Sequence, residues 1–303
     1  ISHIINILLY CALVLLIFNL FQRSGKVSTL FAIGVALIYA MHPIHTEVVA
    51  NIKGRDEILA FLFALIAVRW TLFPLRNRHL SYLLASLALF LGALSKEHVV
   101  AFLVLIPLLM YFLRYGSKEI LKSVIFLAIP VAAFVLLRFS ILGGMQINES
   151  TDLMNNPFLH ASSTERLATI FYTWAVYLKL LFVPYPLTYD YYPYHIAITD
   201  FSSFIPWLVA FVILIAIYFA VRSLIKRQIY GYWIWFFAGT FVLMSNLFFS
   251  IGTFMNERFM FMSSLSVAVL MVYILRKLAQ TNRYRNLAFV LVLVMGTGYS
   301  AKT

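Results

Sequence analysis

Residues 4–21 read IINILLYCALVLLIFNLF, an apolar run without a charged side chain. An α-helix needs about 20 such residues to cross the hydrocarbon core of a bilayer. Comparable runs recur along the chain, at 58–75, 123–137, 203–221 and 259–275. A single amphipathic helix would not produce this repetition. The sequence therefore predicts an all-α fold, a polytopic bundle of transmembrane helices.

The composition favours the same class of protein. Hydrophobic residues make up 63% and charged residues 11% of the 303 residues, which is more apolar than the core of a soluble domain requires. The formal net charge is +12, but the basic residues fall in short clusters between apolar runs, as in cytoplasmic loops. We therefore expect a lipid bilayer and no nucleic acid as partner. The single cysteine, Cys11, lies inside an apolar run and excludes a disulfide framework.

The ends of the chain indicate a part of a longer protein. The first residue is Ile1, and an apolar run follows almost at once. The last residue, Thr303, comes directly after another apolar stretch. We expect the chain to be an internal piece of its parent.

The distribution of charge predicts which loops share a side of the membrane. One side, taken as cytoplasmic, receives these basic clusters: Arg23/Lys26, Arg69/Arg76/Arg78, Arg114/Lys118/Lys122, Arg222/Lys226/Arg227 and Arg276/Lys277/Arg283/Arg285. All acidic residues except Glu119 then fall on the outer side. This arrangement gives about ten spans, predicted at 2–21, 29–41, 57–75, 79–95, 98–113, 121–139, 203–221, 231–249, 259–275 and 286–300.

The stretch 166–183 also has the length of a span. If it crossed the membrane, Arg222 and its neighbours would lie on the wrong side, so we place all of 140–202 outside, as a loop with a juxtamembrane helix. A second span hidden in this loop would also restore the parity. Tyrosine favours the headgroup level of a membrane, so an interfacial segment is predicted for Pro184, Tyr185, Pro186, Tyr189, Tyr191, Tyr192, Pro193 and Tyr194.

The strongest candidate for a functional site is MHPIHTE at 41–47, which continues through NIKGRDE at 51–57. Pro43 should end the preceding helix, because proline lacks an N–H and restricts the residue before it. A solvated loop is the simpler interpretation, but a plain loop rarely holds so many ionisable groups in one turn. Zinc and manganese bind such side chains, yet the spacing matches no established zinc motif. No metal site is predicted; a divalent ion, if one binds, would use His42, His45 and Glu47.

Three further segments bring polar groups to the same face: KEH at 96–98, LTYDYY at 187–192 and NER at 256–258. Ionisable groups are costly to hold near lipid, although 96–98 could be a salt-bridged turn. Residues 256–258 open a helix, whose N-terminus and adjacent arginine suit a phosphate; an ordinary helix cap is the alternative. Cations suit a phosphate and carboxylates suit a proton or a sugar hydroxyl. The combination favours a lipid-phosphate ligand.

At these residues the chain resembles the transmembrane and tetratricopeptide-repeat-containing O-mannosyltransferases and their bacterial relatives. The shared motifs keep the same order: HPIHTE at 42–47, GRD at 54–56, KE at 96–97, NPF at 156–158, Pro184, YDY at 189–191, ER at 257–258 and SS at 263–264. The opening SHIINILLY at 2–10 is similar to the second helix of the family. The resemblance covers nearly the whole chain, so we treat 1–303 as one partial transmembrane glycosyltransferase domain.

The resemblance implies a GT-C glycosyltransferase. Such enzymes transfer a sugar from a polyprenyl or dolichyl phosphate to an acceptor on the periplasmic or lumenal face. In eukaryotic members the sugar is mannose and the acceptor is a Ser or Thr hydroxyl of a protein. The expected reaction is a single displacement with inversion, and no organic cofactor is expected.

The resemblance also implies roles for individual residues. The donor phosphate would be bound by Lys96 and Arg258, with Arg55 in reserve. The sugar and acceptor pocket would be formed by His42, His45, Glu47, Asp56, Glu97, His98, Asp190 and Glu257. In the superfamily, the carboxylate that acts as the catalytic base usually lies in the first external loop, before the helix that Ser2 begins. We therefore assign no catalytic base, and Asp56 and Glu47 are the candidates within the chain.

Three other functions are open. A ligase for lipid-linked oligosaccharides would need a bulky external loop rich in Arg and His, and 140–202 has few of either. A transporter or flippase predicts charges at mid-membrane depth. A scaffold would leave the polar cluster unexplained. We expect a bacterial inner membrane rather than the endoplasmic reticulum, because the external loops offer little glycosylation signal beyond Asn148-Glu149-Ser150.

Overall fold

The computed structural model describes residues 1–142, 156–188, 190–191, 195–248 and 250–280, and this part of the chain is helical, without strands. The α-helices are α1 (Ser2–Arg23), α2 (Thr29–Met41), α3 (Thr46–Ala50), α4 (Arg55–Leu72), α5 (Arg78–Ser95), α6 (Phe102–Phe112), α7 (Ser117–Leu142), α8 (Ser163–Phe182), α9 (Phe204–Lys226), α10 (Tyr230–Phe241) and α11 (Ser264–Gln280). Short 3-10 helices lie at Pro43–His45, Ile52–Gly54, Glu97–Ala101, Val242–Met244 and Glu257–Met260. The predicted all-α class is confirmed.

Several of these helices have the properties of membrane spans. Among the described residues, α1, α5, α7 and α9 are long and apolar enough to cross a bilayer. The count of such helices rises from four to five if α2 and residues 43–50, which bend by 52° at Pro43, form one broken span. Length and composition are thus those of a polytopic membrane protein. The number of about ten spans stays a prediction.

The predicted spans agree with the helices in position. The first nine predicted spans each overlap a helix, whereas the predicted span 286–300 lies outside the described residues. The stretch 166–183 forms α8, whose first turn is closed by a capping box between Ser162 and Glu165. Helix α8 is not among the helices that are apolar enough to span. Of the predicted interfacial tyrosines, Tyr189, Tyr192 and Tyr194 lie outside the described residues, as does Pro193.

Two apolar cores hold the helices together. The larger one joins α1, α2, α3, α4, α5, α6, α7, α10 and α11, and it contains the buried aromatic rings of Tyr39, Phe61, Phe102, Phe236 and Phe261. The second core packs α8 against the region around 254–260. Because both cores include residues from near 260, the loop before α11 is held between them. This loop carries one part of the candidate site.

Ion pairs mark opposite ends of the bundle. At one end, Arg78 at the start of α5 pairs with Glu119 at the start of α7. At the other, Glu97 just beyond α5 pairs with Arg138 near the end of α7. Helices α5 and α7 therefore run in the same direction, and residues 96–98 lie a full helix length from Arg78 and Glu119.

Candidate functional site

A small recess lies among the loops at the 96–98 end of the bundle, and charged side chains line it. The lining residues are Glu47, Val48, Asn51, Lys53, Gly54, Asp56, Lys96 and Arg258. Its volume is about 220 Å³, counting the space that opens to solvent. Pockets for drug-sized ligands enclose roughly 300–1,000 Å³. The recess is smaller than this range even with the open space counted, so a whole lipid does not fit inside it.

The wall of the recess depends on a tight turn between α3 and α4. The Asn51 side chain accepts a hydrogen bond from the Lys53 N–H at 3.0 Å and so starts the 3-10 turn. A Cβ atom added to Gly54 would lie 2.2 Å from the carbonyl oxygen of Val48. Only glycine lets the two backbones approach so closely. The turn directs Asp56 and Glu57 into the first turn of α4, where acidic side chains favour the helix dipole.

Lys96 joins two carboxylates that differ in exposure. Its Nζ lies 2.7 Å from Asp56 Oδ2 and 3.2 Å from Glu57 Oε1. The Asp56 side chain is 30% exposed, whereas that of Glu57 is 1% exposed. Burial by itself would lower the pKa of Lys96, but the carboxylates of Glu57 and Asp56 outweigh it and raise that pKa above its ordinary value. Lys96 is therefore a firmly charged cation at the edge of the recess.

His98 stands behind this cluster. Its Nε2 atom lies 3.4 Å from Glu57 Oε2, and its side chain is buried. Glu57 thus lies between Lys96 on one side and His98 on the other. Such a buried carboxylate must be paired to be tolerated in the interior.

Arg258 and Glu47 form the second charged pair of the recess. Arg258 Nη1 lies 3.3 Å from Glu47 Oε1, and the Arg258 backbone N–H donates to Glu47 Oε2 at 3.2 Å. Asn256 caps the same N–H with its side-chain oxygen. Within the described part of the chain, Arg258 Nε is buried and has no hydrogen-bond partner. Glu47 engages the guanidinium through Nη1, and a guanidinium has five N–H donors, so Arg258 can also donate to an anion.

Glu257, next to Arg258, faces a different segment. Its Oε1 atom accepts hydrogen bonds from the Thr188 N–H at 2.7 Å and from the Tyr191 hydroxyl at 3.0 Å. Burial raises the pKa of Glu257 to about 7, although these hydrogen bonds partly oppose the shift. Glu257 thus attaches the segment that carries Asp190, which is close enough to Glu47 for the two carboxylates to repel. Tyr189, between Thr188 and Asp190, lies outside the described residues.

The two histidines of the first motif are buried beneath the recess and do not line it. His45 contacts the Tyr10 hydroxyl through Nδ1 and the Ser264 hydroxyl through Nε2, both at 2.8 Å. His42 Nε2 lies 2.9 Å from the carbonyl oxygen of Leu181, and its Nδ1 accepts from the Ile44 N–H. These rings fix α1, α8 and α11 to the bend after α2.

This geometry does not support metal binding by His42, His45 and Glu47. Both ring nitrogens of each histidine are engaged by protein groups, and Glu47 is paired with Arg258. Among the described residues, no group of three or more His, Cys, Asp or Glu side chains is placed to hold a metal ion.

Two other predicted site residues point away from the recess. Arg55 Nε donates to Asn6 at 2.9 Å and its Nη2 donates to the Ser2 carbonyl at 3.0 Å, so this guanidinium ties α4 to α1. Glu97 pairs with Arg138 at the surface. The reserve role of Arg55 in phosphate binding and the pocket role of Glu97 therefore find no support in the placement of these side chains.

The structure adds Glu57 and Lys53 to the predicted residues. Glu57 shares a helical stripe with the buried residues Phe61, Ala64 and Val68. A carboxylate on an apolar stripe is a signal that the sequence contained. Lys53 lines the recess, but nothing in its local sequence distinguishes it from Arg55.

Comparisons with known proteins support the family resemblance. The chain is 26% identical to Protein O-mannosyl-transferase F38B6.6 of Caenorhabditis elegans over 91% of the chain and 39% of that relative. It is 26% identical to Protein O-mannosyl-transferase TMTC4 of Homo sapiens over 96% of the chain and 46% of the relative. A 65-residue stretch, 22% of the chain and 7% of the relative, is 40% identical to human Protein O-mannosyl-transferase TMTC1.

The chain spans less than half the length of the first two of these relatives. No known protein-family profile matches it. No solved structure matches it either. The curated relatives are nevertheless members of the family that the motifs indicated, so the predicted resemblance is confirmed.

Proposed function

We propose that the chain, whose curated relatives are protein O-mannosyl-transferases, is the membrane part of a glycosyltransferase. It moves a sugar, which we expect to be mannose, from a polyprenyl-phosphate donor to a Ser or Thr hydroxyl of a protein, with inversion. The observation that carries this proposal is the recess, where the cations Lys96 and Arg258 lie beside the carboxylates Asp56 and Glu47.

The cations supply the phosphate side of the reaction. When the bond between the sugar and the donor phosphate breaks, negative charge develops on the departing lipid phosphate. Cations that are already fixed where this charge develops stabilise it. Lys96 is held in place by its carboxylates, and Arg258 is held in the lining of the recess by Glu47. Lys53 adds a third cation to the lining, in place of Arg55.

The carboxylates supply the acceptor side. A single displacement at the anomeric carbon requires a group that takes the proton of the attacking hydroxyl. Asp56 and Glu47 line the recess and are the candidates within the chain. Glu257 binds the segment that carries Asp190, whose carboxylate lies near Glu47, and His42, His45 and His98 are buried.

The architecture that goes with this function is a GT-C bundle of about ten spans. In this proposal, 140–202 lies outside with α8 at the membrane surface, and the recess opens on the periplasmic or lumenal side. The charge of the loops supports this sidedness. The scarcity of glycosylation signals in the external loops favoured a bacterial inner membrane. The relatives named above are animal proteins, and the bacterial membrane stays a prediction.

Transfer of radiolabelled mannose from polyprenyl-phosphate mannose to peptide tests the proposal, in membranes that contain the full-length parent protein. We expect Lys96→Ala and Arg258→Ala each to lower the rate by roughly 10²–10³-fold, the usual loss for one transition-state donor. Lys118→Ala, at the opposite end of the bundle, should leave the rate unchanged. If folded parent protein transfers no sugar from any polyprenyl phosphate, a flippase or a ligase with a diphosphate donor becomes the better interpretation.

A further inference from the structure

The two carboxylates that bind Lys96 are not equivalent. Asp56 lines the recess and is partly exposed, whereas Glu57 does not line it and is almost fully buried. The shorter contact, 2.7 Å, is the one to the exposed carboxylate. Any anion that reaches Lys96 through the recess therefore approaches from the side where Asp56 already lies.

The Lys96 ammonium group can bind one more partner besides its two carboxylates. An ammonium group has three donors, and Asp56 and Glu57 occupy two directions around Nζ. A phosphate can meet the third, but it then lies next to Asp56, and two anions around one cation repel each other. Glu57 is fixed between Lys96 and His98 in the interior. Asp56, with a side chain that reaches solvent, is the partner that can leave.

We propose that the Asp56 carboxylate lies at the position beside Lys96 where the lipid phosphate of the donor binds, and that the phosphate displaces it from Lys96. Glu57 remains in contact with Lys96 and acts as a positioning residue that keeps the ammonium group directed at the recess. This inference rests on the proposed function, since it takes the donor to be a polyprenyl phosphate. Displacement also leaves the Asp56 carboxylate unpaired inside the recess, where the acceptor hydroxyl would arrive.

The two carboxylates are then expected to respond with opposite signs. Asp56→Asn removes the competing charge and should tighten the binding of polyprenyl phosphate by about tenfold, or about 1.4 kcal/mol. Glu57→Gln removes the anchor of Lys96 and should weaken binding by a similar factor. If both residues acted only through their negative charge, both substitutions would tighten the binding of polyprenyl phosphate.

The measurement is equilibrium binding of sugar-free polyprenyl phosphate to the full-length protein in nanodiscs. Polyprenol, which lacks the phosphate, is the control ligand, and its affinity should not change in either variant. Asp200→Asn removes the same charge from an exposed position outside the recess and should bind like the parent. Thermal unfolding of each variant verifies its fold. If Glu57→Gln does not fold, the sign of the Asp56→Asn effect still decides on displacement.

Three results would overturn the inference. Unchanged or weaker binding by Asp56→Asn would exclude displacement. Tighter binding by Glu57→Gln would exclude its positioning role. An equal gain in polyprenol affinity would place the effect in the lipid tail. None of these three results would contradict the proposed mannose transfer. If the parent protein bound no polyprenyl phosphate, however, the proposed donor of that transfer would be wrong as well.

Discussion

At the scale of single residues, the recess depends on the backbone contact at Gly54. The turn of residues 52–54 lies directly against α3, and a side chain at Gly54 would collide with the Val48 carbonyl. The adjacent positions contribute Lys53 and Asp56 to the lining. The orientation of these two side chains therefore follows from the absence of a Cβ atom between them.

Gly54→Ala should destabilise the protein and distort the recess. The added Cβ meets backbone atoms, which cannot rotate away, so we expect a loss of roughly 1–3 kcal/mol, as for other overpacked sites. Thermal unfolding in detergent measures this loss. Gly116→Ala is the matched control, because a Cβ there meets nothing within 4 Å. Equal melting temperatures for the two variants would contradict the close contact.

The residue types that line the site were predictable from the sequence, but which of two neighbouring residues lines it was not. Asp56, Glu47, Lys96 and Arg258 stand in motifs whose charge near lipid required an explanation. The choice between Lys53 and Arg55 depended on where a 3-10 turn ends and α4 begins, and a change of one residue rotates a side chain by about 100° around a helix. No periodic pattern sets that boundary.

At the scale of elements, the bend between α2 and α3 is secured by α1. The Tyr10 hydroxyl lies within hydrogen-bonding distance of the carbonyl oxygens of Tyr39 and Ala40, at the end of α2. The Asn6 amide donates to the carbonyls of Val49 and Asn51 beyond α3. These carbonyls lie where the α-helical hydrogen-bond pattern is interrupted, so each can accept a hydrogen bond from a side chain. Two polar side chains of α1, Tyr10 and Asn6, thus bind the backbone on both sides of the bend.

Asn6→Ala should weaken this connection. It removes the donor for the Val49 and Asn51 carbonyls and the acceptor for Arg55 Nε, three part-buried hydrogen bonds worth roughly 0.5–1.5 kcal/mol each. We expect a lower melting temperature, together with weaker binding of polyprenyl phosphate. Asn19→Ala on the same helix is the control, since no side-chain hydrogen bond of Asn19 exists within the described residues. Similar losses from both variants would mean that α1 acts only through its apolar surface.

The positions of the helices followed from apolar runs, whereas the breaks between them did not. Pro43 predicted the end of α2 correctly, because the physical reason is local. The 3-10 segments at 52–54 and 257–260 carry no comparable signal, since their conformation depends on contacts with α3 and with Glu47, far away in the sequence. These segments position most of the recess.

At the scale of the whole molecule, the charges separate into two ends. Helices α5 and α7 carry the pair Arg78–Glu119 at one end and Glu97–Arg138 at the other. The recess, through Lys96, belongs to the second end. If these helices cross the bilayer, the two ends face different compartments, as the loop charges predict.

Labelling with a membrane-impermeant maleimide tests this arrangement. In a background with Cys11→Ala, His160→Cys should react from the outer side and Lys118→Cys from the cytoplasmic side; both positions are exposed. Neither residue contributes to the recess. Reaction of both from the same side would refute the predicted topology, including the placement of 140–202.

The pairing of Glu47 with Arg258 has a consequence for the synthesis of the protein. The two residues are separated by 211 positions along the chain. At about 5–20 residues per second, a ribosome needs roughly 10–40 s to pass from one to the other. During this interval α3 has left the ribosome while the arginine that neutralises its carboxylate does not yet exist. This side of the recess can therefore form only after residue 258 has been synthesised, so the recess is completed late in the synthesis of the bundle.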